Sequence, residues 1–219
     1  MNLRYKGIKN VEIEAYAYLL DFKNALAAST ETYGVRASGV YLVNEKSKII
    51  YVGEYAAQSD YADNPGSISE DYYLGELGVK LQLGGVLKSL VLKVDYEVLT
   101  GNGANSFLTP VATGHAFQGW ADRFLLTPPD GIEDTYFTAV ASAFGARFIA
   151  AYHMIKSDNL SYDYGNELDL LVTKTFKKNY TFGAKVAFYD ADRNSDNIAR
   201  GGARAADVTK TWFWVQIKF

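Results

Sequence analysis

The sequence predicts an all-β chain, an antiparallel transmembrane β-barrel with about ten strands in view. Three observations predict it. Segments of about ten residues alternate polar and apolar side chains along most of the chain, the period-two pattern of a strand with one polar and one apolar face. The connections between those segments alternate short and long. The 219 residues include 17 Tyr, 12 Phe and 19 Gly but only 4 Pro. Tyr is favoured in strands and at membrane–water boundaries, where its ring is apolar and its hydroxyl stays wet.

Residues 11–20 set Glu12, Glu14, Tyr16 and Tyr18 against Val11, Ile13, Ala15, Ala17 and Leu19. Residues 33–43 place Arg36 and Ser38 opposite Val35, Ala37 and Tyr41, and residues 48–58 place Lys48, Glu54 and Gln58 opposite Ile49, Tyr51 and Tyr55. The pattern sharpens at 73–83, where Glu76, Gly78, Lys80 and Gln82 alternate with Leu77, Val79, Leu81 and Leu83. It is sharpest at 90–98, with Lys93, Asp95 and Glu97 against Leu92, Val94, Tyr96 and Val98. Further strands are expected at 134–143, 147–155, 167–176 and 180–189; in the first of these Thr, Ala and Ser leave the facing open. The last stretch, 209–219, puts Phe213, Val215, Ile217 and Phe219 on one face and Trp212, Trp214, Gln216 and Lys218 on the other. It is about as long as a tilted strand that crosses a bilayer, and it resembles the closing strand of bacterial outer-membrane β-barrels. Residues 2–8 read as the tail of a descending strand, with Lys9 and Asn10 as its turn.

The short connections are 44–47, 84–89, 145–146 and 177–179; the long ones are 21–32, 59–72, 100–133, 156–166 and 190–208. A soluble sandwich has no reason to sort its loops by parity. An outer-membrane barrel does, because its periplasmic turns are short and its extracellular loops long. The expectation is one integral outer-membrane domain over residues 1–219 with a periplasmic carboxy-terminus. Met1 to Tyr5 carry no apolar signal stretch, so the chain is expected to be a mature piece or the carboxy-terminal part of a larger barrel.

Composition excludes several classes. A formal net charge of −3 offers no concentrated basic surface for nucleic acid. Cysteine is absent, which removes disulfides, thiolate metal sites and cysteine nucleophiles. No run of about 18 apolar residues exists to form a membrane helix. The two histidines, His115 and His153, lack metal-type spacing, and no Gly-x-Ser-x-Gly elbow occurs. Residues 190–196 mimic the start of a calcium loop, but Ser195 and Gly201 stand where that loop needs Gly and Glu. No catalytic residue, cofactor or metal is expected.

The candidate residues lie on the polar faces and in the longest connection. The predicted pore lining is Glu12, Glu14, Arg36, Glu54, Glu76, Lys80, Lys93, Asp95, Glu97, Arg147, Glu167, Asp169, Lys185 and Lys210. With Lys48 and Lys218 added, its charges roughly balance, which favours a general hydrophilic channel over an anion-selective one. The connection 100–133 is too long to be idle and too aromatic to be disordered. It reads either as an extracellular loop packed on its neighbours or as a constriction folded into the pore through His115, Phe117, Gln118, Trp120, Asp122 and Arg123.

Residues 109–134, TPVATGHAFQGWADRFLLTPPDGIED, resemble a segment of proteobacterial outer-membrane proteins of the alginate-export-domain family, and residues 166–170, 189–192 and the closing strand are similar to stretches downstream of that segment in the family. The likeness covers roughly residues 90–219. It implies a barrel of about 16–18 strands that passes solute or polysaccharide across the outer membrane. The expected partners are the bilayer with its lipopolysaccharide, the outer-membrane insertion machinery acting through the Phe219 strand, and small hydrophilic solutes or polysaccharide. The alternatives are a surface barrel enzyme of lipase or protease type and a non-conducting adhesive barrel.

Overall fold

The computed structural model describes residues 1–112, 115 and 117–219. The alternating segments form eleven strands in one antiparallel sheet, each paired with its sequence neighbours in the order β1 to β11. They are β1 (Asn2–Ile8), β2 (Val11–Leu20), β3 (Thr30–Asn44), β4 (Ser47–Asp60), β5 (Ser69–Gln82), β6 (Leu87–Leu99), β7 (Ile132–Ala143), β8 (Ala146–Lys156), β9 (Asp163–Phe176), β10 (Tyr180–Ala191) and β11 (Val208–Ile217). The expected count of about ten is corrected to eleven, because residues 2–8 form a true strand, with Arg4 paired to Glu14 in the register. Several strands also run three or four residues further toward the long connections than the alternation suggested. There Thr30, Ser59 and Ser69 continue the ladder with little polarity contrast.

Five tight turns gather at one end of the sheet and the five longer connections at the other. At the β7–β8 turn both central residues, Phe144 and Gly145, have positive φ, 53° and 68°, the backbone that matches the twist of a two-residue hairpin. The longer connections hold a 3-10 turn (Leu26–Ala28), one π-turn (Asn197–Gly201) and a second 3-10 turn (Gly202–Ala205). No helix of the described residues is long and apolar enough to cross a membrane.

Burial is inverted relative to a water-soluble sheet. One face carries an unbroken apolar band. A single row across the register reads Tyr51, Leu77, Val94, Phe137, Tyr152, Leu168 and Phe188, and most of these rings and side chains are exposed. Between Asn166 and Lys174 the outward side chains of β9 are Leu168, Leu170 and Val172, an apolar run of about 13 Å at about 3.3 Å per residue. The opposite face is polar, and its charges are the buried ones: Asp95, Asp134, Glu167 and Asp169 are at most 1% exposed. The principal apolar core lies at the loop end, where Phe124, Ile132, Ile155, Tyr164 and Tyr189 pack together.

Candidate functional site

The site is the polar face and the loop that lies on it. Period-two alternation fixes which side chains share that face, and the register aligns them across strands. One row runs Glu12, Ser38, Val52, Glu76, Asp95, Tyr136, His153, Glu167, Tyr189. The next runs Glu14, Arg36, Glu54, Leu74, Glu97, Asp134. All the residues predicted as pore lining fall on this one face, including Lys80, Lys93, Arg147, Asp169, Lys185 and Lys210. The facing of β7, open in the sequence, is resolved: Asp134, Tyr136 and Thr138 point to the polar side, opposite Ile155, His153 and Ala151.

The charges are not mixed evenly. Near the turns, Glu12 and Glu14 are held by Arg4 at 2.9 Å each and Glu12 by Lys6 at 2.8 Å. Lys48 and Lys80 sit directly opposite one another, and with Arg147 they have no carboxylate within ion-pair distance among the described residues. Midway along the strands the balance turns acidic. Lys93 pairs with Glu76 and lies 3.5 Å from Asp95; Arg36 pairs with Glu54, which also accepts the Tyr16 hydroxyl at 2.7 Å. Glu97 accepts the Tyr72 hydroxyl at 2.7 Å. His153 stacks on Tyr136 at 4.8 Å, its Nδ1 is 2.7 Å from Asp134, and its Nε2 faces Asp169 at 3.9 Å. A carboxylate therefore stands on both sides of this ring, where a hydrolase dyad would need a hydroxyl on one.

The described residues of the long connection, 100–131, fold onto this face. Its first part is pinned at β4, where Gln58 donates to the Leu108 carbonyl at 2.9 Å and accepts from the Leu108 amide at 2.7 Å. Phe107 packs on Tyr72 with ring centres 5.7 Å apart. Its later part crosses to β9, β10 and β11. The Ala121 amide donates to Glu167 at 2.6 Å and the Trp120 amide to Asp169 at 3.1 Å. Gly119 makes the approach possible: its φ is +90°, and a Cβ there would sit 2.5 Å from the Glu167 carboxyl.

A second set of contacts surrounds Lys185. Its ammonium has only donors, so at 2.5 Å from His115 Nε2 it assigns that nitrogen as the acceptor. His115 Nδ1 then carries the proton toward Asp122, 2.5 Å away. Lys210 donates to the other Asp122 oxygen at 2.7 Å, and the Lys185 ammonium lies 4.9 Å from the Trp120 ring and 4.2 Å from the Trp212 ring. Burial pushes the Asp122 carboxyl up, but the bonds from Lys210 and His115 outweigh it and hold it below the usual carboxylate range.

Of the constriction residues, His115, Gln118, Trp120 and Asp122 meet the polar face. Phe117, 54% exposed, lines a cavity with Glu54 and Glu97 of that face, and Arg123 lies 5.8 Å over the Tyr189 ring while it donates to the carbonyls of Ala203 and Ala206 in the last loop. The spacing of Phe117, Trp120 and Phe124 forms no helix among the described residues; Phe124 instead seats its ring 5.3 Å from Tyr164 and 6.1 Å from Tyr189. Thr113, Gly114 and Ala116 of the resemblance segment lie outside the described residues.

One joint was not visible in the sequence. Asp130, buried at 4% exposure, accepts from Arg200 at 2.7 and 2.5 Å, from Asn159 at 2.7 Å and from Tyr162 at 3.0 Å. It ties three long connections together. The Arg200 bonds hold its carboxyl below the usual range, with burial opposing and Asn159 and Tyr162 adding to the shift. In the loop that mimics a calcium site, Asp192 Oδ1 is used locally, accepting the Asn194 amide at 2.8 Å, and no cation-binding cluster of acids and histidines occurs among the described residues.

No protein-family model matches the sequence, and no curated protein matches it significantly.

Proposed function

We propose that this chain contributes eleven strands to an outer-membrane β-barrel channel for hydrophilic solutes, of the alginate-export type that residues 109–134 resemble. The observation that carries this reading is the inverted burial: exposed rings and aliphatics on one face, and fully buried carboxylates on the other. An exposed apolar band that runs across the sheet in this way needs an apolar environment. Sorting of turns and loops to opposite ends supports the same reading.

The sheet is open, with β1 and β11 as its edges. Both strands run from the loop end to the turn end, so pairing them directly would be parallel. Bacterial barrels close antiparallel with an even strand number. Closure in this reading therefore takes an odd number of further strands between the two edges; five or seven would give about 16 or 18 in total. The acidic middle of the polar face suits small solutes better than a polyanion such as alginate, which would need a cationic lining.

The test is conductance. The closed barrel, this chain together with the strands that join its two edges, should migrate differently before and after heating when refolded in detergent, and should give discrete current steps in a planar bilayer. A soluble monomer without detergent would end the reading. A heat-modifiable barrel with no current would favour a plugged, adhesive barrel, in which the loop covering Glu167 and Asp169 is permanent.

A further inference from the structure

We propose that the cavity between the long loop and strands β2–β6 binds small organic cations that carry an aromatic ring. The cavity has a volume of about 470 Å³, within the range of small-molecule sites. Its walls come from two sources. Tyr16, Tyr18, Glu54, Tyr72 and Glu97 project from the strands, and residues 107–112 with Phe117, Gln118, Phe124 and Leu125 close it from the loop.

Its chemistry selects the ligand class. The lining is mainly aromatic and aliphatic, and it contains two carboxylates but no Lys, Arg or His. Glu54 is neutralised by Arg36 just outside the lining. Glu97 has no fixed cation of its own: it accepts hydrogen bonds from Tyr72 and Gln118, stands opposite Asp134 in the register, and has no Lys or Arg among the described residues within ion-pair distance. A carboxylate left with neutral donors, beside the faces of tyrosine and phenylalanine rings, is an environment for an ammonium on an aromatic stem. An anion would meet Glu97, and a purely polar solute would leave the ring faces uncovered. The wall is also built in advance, because the paired bonds between Gln58 and the Leu108 backbone hold the loop in place before any ligand arrives.

Binding does not depend on conduction, so the two readings fail separately. Phenethylammonium, 2-phenylethanol and phenylacetate would be titrated into the refolded full chain by calorimetry. Saturable binding of the cation, about tenfold or more tighter than the neutral alcohol, with phenylacetate weakest, is the expected result. Glu97→Gln should erase the preference for the cation while leaving the alcohol's affinity in place. Val111→Trp, at a rim position that is 69% exposed, should fill the cavity and weaken both. Equal affinity for the cation and the alcohol, or no saturable binding of the cation, overturns the proposal. So does a folded Glu97→Gln protein that keeps the preference. If that variant fails to fold, unchanged binding in Val111→Trp overturns it instead.

Discussion

Gly119 is the point at which a side chain of any size would separate the long loop from the sheet. Its φ of +90° is disfavoured for other residues, and a Cβ would collide with Glu167 at 2.5 Å. Gly119→Ala should therefore cost about 1–3 kcal/mol at the loop contact. The expected readout is faster proteolysis within residues 100–131 with the band of the folded protein unchanged on a gel. Asp130 works differently, through charge. Replacing it with Ala strands Arg200 and removes the acceptor for Asn159 and Tyr162, a loss of about 1–3 kcal/mol given that Arg200 is partly exposed. Because its folded carboxyl titrates below its unfolded value, its contribution is fully present above about pH 4 and disappears as the pH falls through the lower folded value. Protease resistance of the three joined loops should fall with acidification below about pH 4 in the native protein, and that dependence should flatten in Asp130→Asn.

The strands were the legible part of the molecule, because a two-residue period writes the two faces directly into the sequence. β5 and β6 could be read almost residue by residue, and even β11 kept its assignment, with Trp212 and Trp214 on the polar side and Phe213 and Val215 opposite. What the period could not supply was contrast or distance. β7 was ambiguous because Thr138, Ala139 and Ala141 look alike to water, and only its register against His153 and Lys93 settles it. β1 read as a tail because its seven residues hold few apolar ones. The Asp130–Arg200 joint spans 70 residues, and the Glu167–Ala121 latch 46, so no local pattern could announce either. The facing itself can be tested with one charge placed twice. Leu170→Arg, in the middle of the apolar band of β9, should cost about 2–4 kcal/mol in folding equilibria with lipid vesicles. Ser38→Arg on the polar face, directly opposite Glu12, should cost much less. Equal costs would mean that both faces meet the same solvent.

Across the whole sheet, the distribution of charge decides more than its sum. The face totals are close to balanced, yet Lys48, Lys80 and Arg147, without an ion-pair partner among the described residues, lie toward the turns. The acids Glu76, Asp95, Glu97, Asp134, Glu167 and Asp169 instead crowd the middle rows, beside the loop. In a channel built on this face the loop would reach into the passage at Glu167 and Asp169, and fixed charge acts most strongly in a narrow, poorly screened passage. Selectivity should then follow the acidic belt and not the total. A salt gradient of KCl across a planar bilayer should give a reversal potential of the sign expected for a cation-preferring pore, larger at low ionic strength as the screening length grows. Neutralising the belt at Glu76 and Glu97 together should move that potential toward zero. Lys80→Gln at the turn end should move it slightly the other way, because it removes a cation from the wider mouth. An anion-preferring potential in the native protein would place the constriction among Lys48, Lys80 and Arg147, and would mean that the loop does not form the narrowest point of the passage.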